Sequence, residues 1–141
     1  MIKSKRLSHL LCLSLLLLLC GCKGERCRTP FGEGGTLDLL QPDFMGLYNS
    51  PGSTLVINRG YRGILVNCVG LDDYVAFECA CPHCREVGMV PDSRTSAVML
   101  TCPECGSRFD LFYGNPLEGS QTACMLFQYR TLYDGRYLSI Y

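Results

Sequence analysis

The fold of this protein is indicated most clearly by one stretch of its sequence, Cys102-Pro103-Glu104-Cys105-Gly106-Ser107-Arg108-Phe109-Asp110-Leu111. It begins with a Cys-x-x-Cys turn, which presents two thiols on one side of a tight loop. Upstream, Cys81-Pro82-His83-Cys84 makes a second turn of the same kind. Two such turns separated by a short stretch of chain can place four ligands in a tetrahedron around a metal ion. We refer to residues 81–84 as the first knuckle and to residues 102–105 as the second knuckle.

The first knuckle offers more candidate ligands than a tetrahedral site needs. We consider two four-ligand sets, which share Cys81, Cys102 and Cys105 and differ in whether His83 or Cys84 is the fourth ligand. Four thiolates in a tetrahedron suit zinc or a single iron. The sequence therefore predicts a metal site and leaves its fourth ligand open.

The N-terminal 21 residues have the features of a secretory signal. Lys3, Lys5 and Arg6 precede an apolar run at residues 10–19, which is short for a membrane span. The run ends in Leu19-Cys20-Gly21-Cys22, which resembles a bacterial lipobox, and Cys22 is the better acceptor for lipid because a small residue precedes it. An uncleaved anchor helix is the alternative. Either interpretation predicts a domain tethered to a membrane of the bacterial cell envelope, outside the cytoplasm.

Charge and cysteine content narrow the class of protein. Without the basic residues of the predicted signal, ten basic residues remain against 13 acidic ones, a net charge of −3, so a nucleic-acid partner is not expected. Arg85 and Arg108 beside the knuckles could steer an anionic partner or offset thiolate charge, but we expect them to be ordinary solvated surface. Cysteines outside the knuckles could form disulfides in an oxidising envelope, but spacing does not reveal their pairing.

The remaining chain predicts one small all-β domain, at residues 36–141, after a glycine-rich and charged tether at residues 22–35. Strands are predicted at residues 54–58, 63–69, 74–78, 97–101, 108–113, 125–131 and 136–141, from their β-branched and aromatic content. Asp134-Gly135 is a strong hairpin signal between the last two. No sustained helical period is present after the signal. We expect an antiparallel sandwich or barrel with the knuckles at hairpin tips.

The second knuckle and its flank resemble the second cluster-binding loop of Rieske iron-sulfur domains. That loop typically reads Cys-Pro-x-His-Gly-Ser-x-Phe-Asp and continues as Gly-x-Pro-x-x-Gly, to which Gly114-Asn115-Pro116 and Gly119 correspond. Cys81-Pro82-His83 is similar to the Cys-x-His of the first loop. The resemblance covers roughly residues 54–141 and implies a small Rieske-like β fold with a 2Fe-2S cluster.

The same resemblance implies roles for individual residues. Cys81 and Cys102 would hold one iron, and His83 would hold the other together with whatever stands at the second histidine position. Cys105 stands there instead of histidine. An anionic thiolate in that place implies an atypical centre with a lower reduction potential. Ser107 becomes a candidate hydrogen-bond donor to the cluster.

A competing resemblance takes Cys81, Cys84, Cys102 and Cys105 as four thiolate ligands. It is similar to zinc ribbons and rubredoxins, whose knuckles often read Cys-Pro-x-Cys-Gly, and it implies zinc or a single iron. A third possibility keeps the β scaffold and closes the knuckles as disulfides.

We therefore expect a membrane-tethered, Rieske-like one-electron carrier or redox subunit with a redox partner protein. Such a component transfers electrons for another protein and is not a stand-alone catalyst, and no nucleophile motif for hydrolysis is present. The alternative is a lipoprotein that serves as a structural or interaction module, with zinc or disulfides stabilising the knuckles.

Overall fold

The computed structural model describes residues 26–92 and 99–141. Within these ranges the chain is all-β and antiparallel, with one 3₁₀ turn at Met45–Leu47. The ten strands are β1 (Gly35–Asp38), β2 (Thr54–Ile57), β3 (Ile64–Gly70), β4 (Asp73–Glu78), β5 (Val90–Asp92), β6 (Met99–Thr101), β7 (Arg108–Asp110), β8 (Gln128–Tyr129), β9 (Thr131–Tyr133) and β10 (Tyr137–Ile140). The predicted fold class is confirmed: an antiparallel all-β domain with a separate cysteine-bearing part. No helix among these residues is long and apolar enough to cross a membrane.

The strands form three sheets. One has the order β1-β10-β9, the second β2-β3-β4-β8 and the third β5-β6-β7. The second sheet lies in the middle, because its side chains enter two different hydrophobic clusters. On β3, Ile64 and Val66 belong to one cluster and Leu65 to the other, as the two-residue period of a strand requires. A strand buried on both faces reads as a continuous apolar run, which explains the composition of β3.

The first cluster fills the space between the first and second sheets. Leu37, Leu138 and Ile140 from the first sheet pack there against side chains of β3 and β4. The second cluster joins the second sheet to the third. Leu65 and Phe77 enter this cluster from the second sheet, and Leu100 and Phe109 enter it from the third. Cysteines of both knuckles also belong to it. The cysteine-bearing part of the domain is therefore attached to the sandwich by its own hydrophobic core.

Some predicted strand limits differ from the structure. The strand predicted at residues 108–113 ends at Asp110, because the Asp110 carboxylate accepts hydrogen bonds from the amides of Phe112, Tyr113 and Asn115 at 2.7–2.9 Å and turns the chain. Of the strand predicted at residues 97–101, residues 97 and 98 lie outside the described part. The strand predicted at residues 125–131 is divided at Arg130 into β8 and β9. The hairpin predicted at residues 134–135 joins β9 to β10.

Two strands are absent from the sequence prediction. β1 is short and begins with glycine, and β5 contains Pro91, which has no amide hydrogen to donate. Pro91 is tolerated because β5 is the edge strand of its sheet.

The segment before β1 is bound to the domain. Cys27 forms a disulfide with Cys124, which lies 97 residues later in the chain. Phe31 stacks on Phe127 with their ring centroids 4.2 Å apart. Cys27 and Phe31 both lie inside the predicted tether at residues 22–35. The boundaries of the tether and of the signal stay predictions. Residues 1–25, with Cys22, lie outside the described part.

Candidate metal centre

The two knuckles are held at neighbouring points by the third sheet. The second knuckle is the tip of the hairpin formed by β6 and β7. The first knuckle follows β4, and a bridge between Ala80 and Gly88 closes its loop. The two loops meet over the second hydrophobic cluster, to which both contribute cysteines.

Both knuckles have the same backbone turn. The Arg85 amide donates to the Cys81 carbonyl at 2.7 Å, and the Gly106 amide donates to the Cys102 carbonyl at 3.0 Å. In each case the donor residue has a positive φ, +61° for Arg85 and +71° for Gly106. Turns of this form direct the first and fourth side chains to the same side.

The turns bring four sulfur atoms together. The Sγ atoms of Cys81, Cys84, Cys102 and Cys105 all lie within 4.8 Å of one another. The Cys81 and Cys105 sulfurs are 3.7 Å apart, and those of Cys84 and Cys102 are 3.9 Å apart. Four cysteines thus form a cluster that could hold a metal ion.

His83 occupies a different position from these four residues. It lies between Cys81 and Cys84 in the first knuckle and its side chain is exposed, and the close group of potential ligand atoms consists of thiols only. The amides of His83 and Cys84 instead approach the Cys81 sulfur, the latter at 3.5 Å. Amide hydrogen bonds of this kind stabilise a thiolate.

The cluster is only partly shielded from water. Cys81 and Cys102 are buried, whereas Cys84 and Cys105 are half-buried. Burial raises the pKa of Cys81 to about 11, and burial together with hydrogen bonds from Cys105 and Cys102 raises the pKa of Cys84 further. Without a metal ion, these two groups therefore remain thiols at neutral pH.

Cys105 differs from its neighbours. Burial acts to raise its pKa, but hydrogen bonds involving the Ser107 hydroxyl and amide, and then the Cys102 and Cys84 thiols, lower the pKa to about 6. The Ser107 oxygen lies 3.2 Å from the Cys105 sulfur and is fully buried. The Gln121 amide donates to the same hydroxyl at 2.9 Å and so orients it. One thiolate is therefore already formed at neutral pH, which favours the capture of a cation.

The other described cysteines are not part of the cluster. Cys27 and Cys124 are joined to each other, and Cys68 and Cys79 are buried free thiols in the two hydrophobic clusters. Burial raises the pKa of Cys79 to about 12, so this group is inert at neutral pH. An interaction that sequence reasoning missed lies beside it: Glu78, at the end of β4, is fully buried and accepts a hydrogen bond from the Ala80 amide at the entry to the first knuckle.

Comparisons with known proteins give little beyond this geometry. No protein-family model matches the chain, and no curated protein sequence matches it. Among solved structures the chain is similar to the ferredoxin of carbazole 1,9a-dioxygenase from Nocardioides aromaticivorans IC177, with 20% sequence identity and a TM-score of 0.45. That alignment covers 79% of this chain and 97% of the ferredoxin.

Proposed function

We propose that the protein is a membrane-tethered one-electron carrier whose redox centre is a single iron ion bound by Cys81, Cys84, Cys102 and Cys105. The spacing of the four sulfur atoms carries the proposal. A metal–sulfur bond of about 2.3 Å in a tetrahedron separates neighbouring sulfurs by about 3.8 Å. The sulfur pairs at 3.7 and 3.9 Å agree with that edge length.

The spacing favours one ion over a two-iron cluster. In a 2Fe-2S cluster each iron has its own pair of protein ligands, and the width of the core holds the two pairs apart. The four sulfurs here lie mutually within 4.8 Å, and His83, needed as a ligand for the Rieske-like set, has an exposed side chain. The Rieske-like centre with Cys81, His83, Cys102 and Cys105 is therefore the weaker of the two ligand sets.

Electron transfer suits the position of this site. Iron bound there would supply a one-electron couple, and thiolates on two short loops, each anchored on a strand, would hold it with little change of geometry between oxidation states. Cys84 and Cys105 are half-buried, so a redox partner protein could approach the metal closely. Amide and hydroxyl hydrogen bonds to Cys81 and Cys105 would tune the potential.

The state of the cysteines fits a metal site in an oxidising compartment. The chain contains the Cys27–Cys124 disulfide, while the four clustered cysteines are free thiols. A bound metal ion would protect such thiols from oxidation outside the cytoplasm. The predicted lipid on Cys22 would hold the domain at a membrane of the cell envelope, and this localisation is part of the proposal.

A structural zinc module is the second candidate, because the third sheet has strands of only three residues and would gain stability from a metal crosslink. Counting iron, zinc and acid-labile sulfide in purified protein, with visible absorption, separates the candidates. One iron without sulfide is expected. Two irons with two sulfides would indicate the 2Fe-2S centre, and colourless protein with one zinc would rule out the electron carrier.

Replacing the fourth ligand tests the site itself. Cys84→Ser is expected to lose most of the metal, whereas His83→Ala retains it, because the first is one of the four close sulfurs and the second is not. Loss of metal in His83→Ala with retention in Cys84→Ser would overturn the assignment and favour the Rieske-like set.

A further inference from the structure

A cleft of about 600 Å³ opens beside the first knuckle, on the side that faces the segment before β1. Arg28 and Phe31 of that segment form one side, and Tyr61, Arg85 and Glu86 form the other. Its volume is in the range of small-molecule sites. None of these residues belongs to the four-cysteine cluster, so the cleft is separate from the proposed redox centre.

The cleft has an excess of positive charge. Its carboxylate, Glu86, is already engaged by the Tyr61 hydroxyl at 2.5 Å and by the Arg62 guanidinium at 2.9 Å. Both contacts involve Oε2 of Glu86, so this carboxylate already has partners within the protein. Within residues 26–92 and 99–141, Arg28 and Arg85 form no ion pair. Among the described residues, these two guanidinium groups therefore have no carboxylate partner.

The backbone at Arg85 gives an independent indication that its side chain has a role. Arg85 occupies the same place in the first knuckle that Gly106 occupies in the second, and both have the left-handed φ of that turn. Glycine adopts this conformation without steric cost, whereas a residue with a Cβ atom does not. An arginine held at a position that suits glycine points to a function for its guanidinium.

The walls of the cleft are aromatic. Phe31 is 60% exposed, and one face of its ring stacks on Phe127. Tyr61 is fixed by its hydrogen bond to Glu86 and by the Arg62 guanidinium, which lies 5.0 Å from its ring centroid. Rigid aromatic surfaces next to guanidinium groups suit a ligand that is flat, apolar and negatively charged.

We propose that this cleft binds a small organic anion with a planar apolar body, of the chemical class of an aromatic carboxylate. The carboxylate would accept hydrogen bonds from Arg85 and Arg28, and the ring would lie against Phe31 and Tyr61. The disulfide of Cys27 to Cys124 holds the wall that carries Arg28 and Phe31. The proposal does not depend on which metal the cysteines bind.

The test is a titration of the metal-loaded protein with 2-naphthoate and, separately, with inorganic phosphate, followed by chemical shifts or calorimetry. Saturable binding of naphthoate is expected, with phosphate at least tenfold weaker because it has no apolar body. Arg85→Gly is expected to weaken naphthoate binding about tenfold, the usual effect of losing a charge-assisted hydrogen bond. Arg28→Gln should weaken it in the same direction.

Arg85→Gly also serves as its own folding control. Because glycine suits the φ of +61°, this variant should retain its metal and unfold at the same or a higher temperature. Arg130→Gln, at an exposed arginine outside the cleft, is the matched control and should bind naphthoate normally. Unchanged affinity in Arg85→Gly, no naphthoate binding, or phosphate binding as tight as naphthoate would each overturn the proposal.

Discussion

The phenolic oxygen of Tyr129 on β8 lies 2.7 Å from Oε2 of Glu78 on β4, and both side chains are buried. The same carboxylate accepts hydrogen bonds from the amides of Tyr61 at 2.7 Å, Arg62 at 2.8 Å and Ala80 at 3.2 Å. Four donors satisfy an acceptor that would otherwise be costly to bury. One carboxylate thus joins two strands, the turn before β3 and the entry to the first knuckle.

Tyr129→Phe is expected to lower the free energy of unfolding by about 1–3 kcal/mol, because it removes a donor from a buried acceptor. Denaturant unfolding of the metal-loaded protein measures this. Tyr137→Phe is the matched control, since Tyr137 is 41% exposed and its hydroxyl forms no hydrogen bond in the described part of the chain. Equal effects of the two substitutions would contradict the role of the Glu78 network.

Ser107→Ala is expected to raise the pKa of Cys105 from about 6 toward that of an ordinary thiol, because the hydroxyl stabilises the thiolate. Losing one hydrogen bond to a charged group corresponds to a rise of about one to two pKa units. The thiolate fraction at pH 7 would then fall about two- to tenfold. Iodoacetamide alkylation of metal-free protein, read at Cys105 by mass spectrometry across pH, measures it.

The direction of this pH profile is specific. In metal-free wild-type protein Cys105 should react already near pH 6, whereas Cys81, whose pKa is raised to about 11, should react only in alkaline solution. A Ser107→Ala profile that coincides with the wild type would show that the hydroxyl does not stabilise the thiolate.

Removal of the metal is expected to loosen the third sheet more than the other two. The third sheet has three-residue strands and packs through the cluster that contains the knuckle cysteines, whereas the first cluster contains none of the four ligands. Amide hydrogen exchange after chelation should therefore rise at Val90, Asp92 and Met99–Thr101 and change little at Tyr137–Ile140. Uniform loss of protection across all three sheets would instead mean that the whole domain unfolds with the metal site.

Breaking the Cys27–Cys124 disulfide is expected to destabilise the domain by about 2–4 kcal/mol, because this bond restrains the unfolded chain across most of the domain. The double substitution Cys27→Ser with Cys124→Ser tests this by denaturant unfolding. A phosphine reductant, added to both proteins, provides the control: it should destabilise the wild type and leave the double variant unchanged. The same stability in both proteins without reductant would refute the prediction.

Much of the fold could be read from local patterns. The buried run of β3 and the Asp134-Gly135 turn predict their elements because strand burial and hairpin geometry depend on few neighbouring residues. The same reasoning does not predict β5, because Pro91 argues against a strand. The proline is tolerated because β5 lies at the edge of its sheet. The role of Glu78 is equally hidden, since its partners are mostly backbone amides and Tyr129, 51 residues away.

The candidate site likewise has features that local sequence patterns predict and one feature that they leave open. The pairing of two Cys-x-x-Cys turns predicts that their thiols converge, and the four sulfurs do converge. The sequence leaves the choice between His83 and Cys84 open because the Cys-x-x-Cys pattern favours Cys84, whereas the resemblance to Rieske loops favours His83. The positive φ of Arg85 fixes the turn so that Cys84 points with Cys81.

The disulfide also limits how far the protein could travel from a lipid on Cys22. Cys27 is the first covalent attachment to the domain, and it follows Cys22 by five residues, an extended length of at most about 17 Å. A domain attached to the lipid through so short a segment would stay at the membrane surface. Its encounters with a redox partner would then become a search in two dimensions, open mainly to proteins that lie in or on the same membrane.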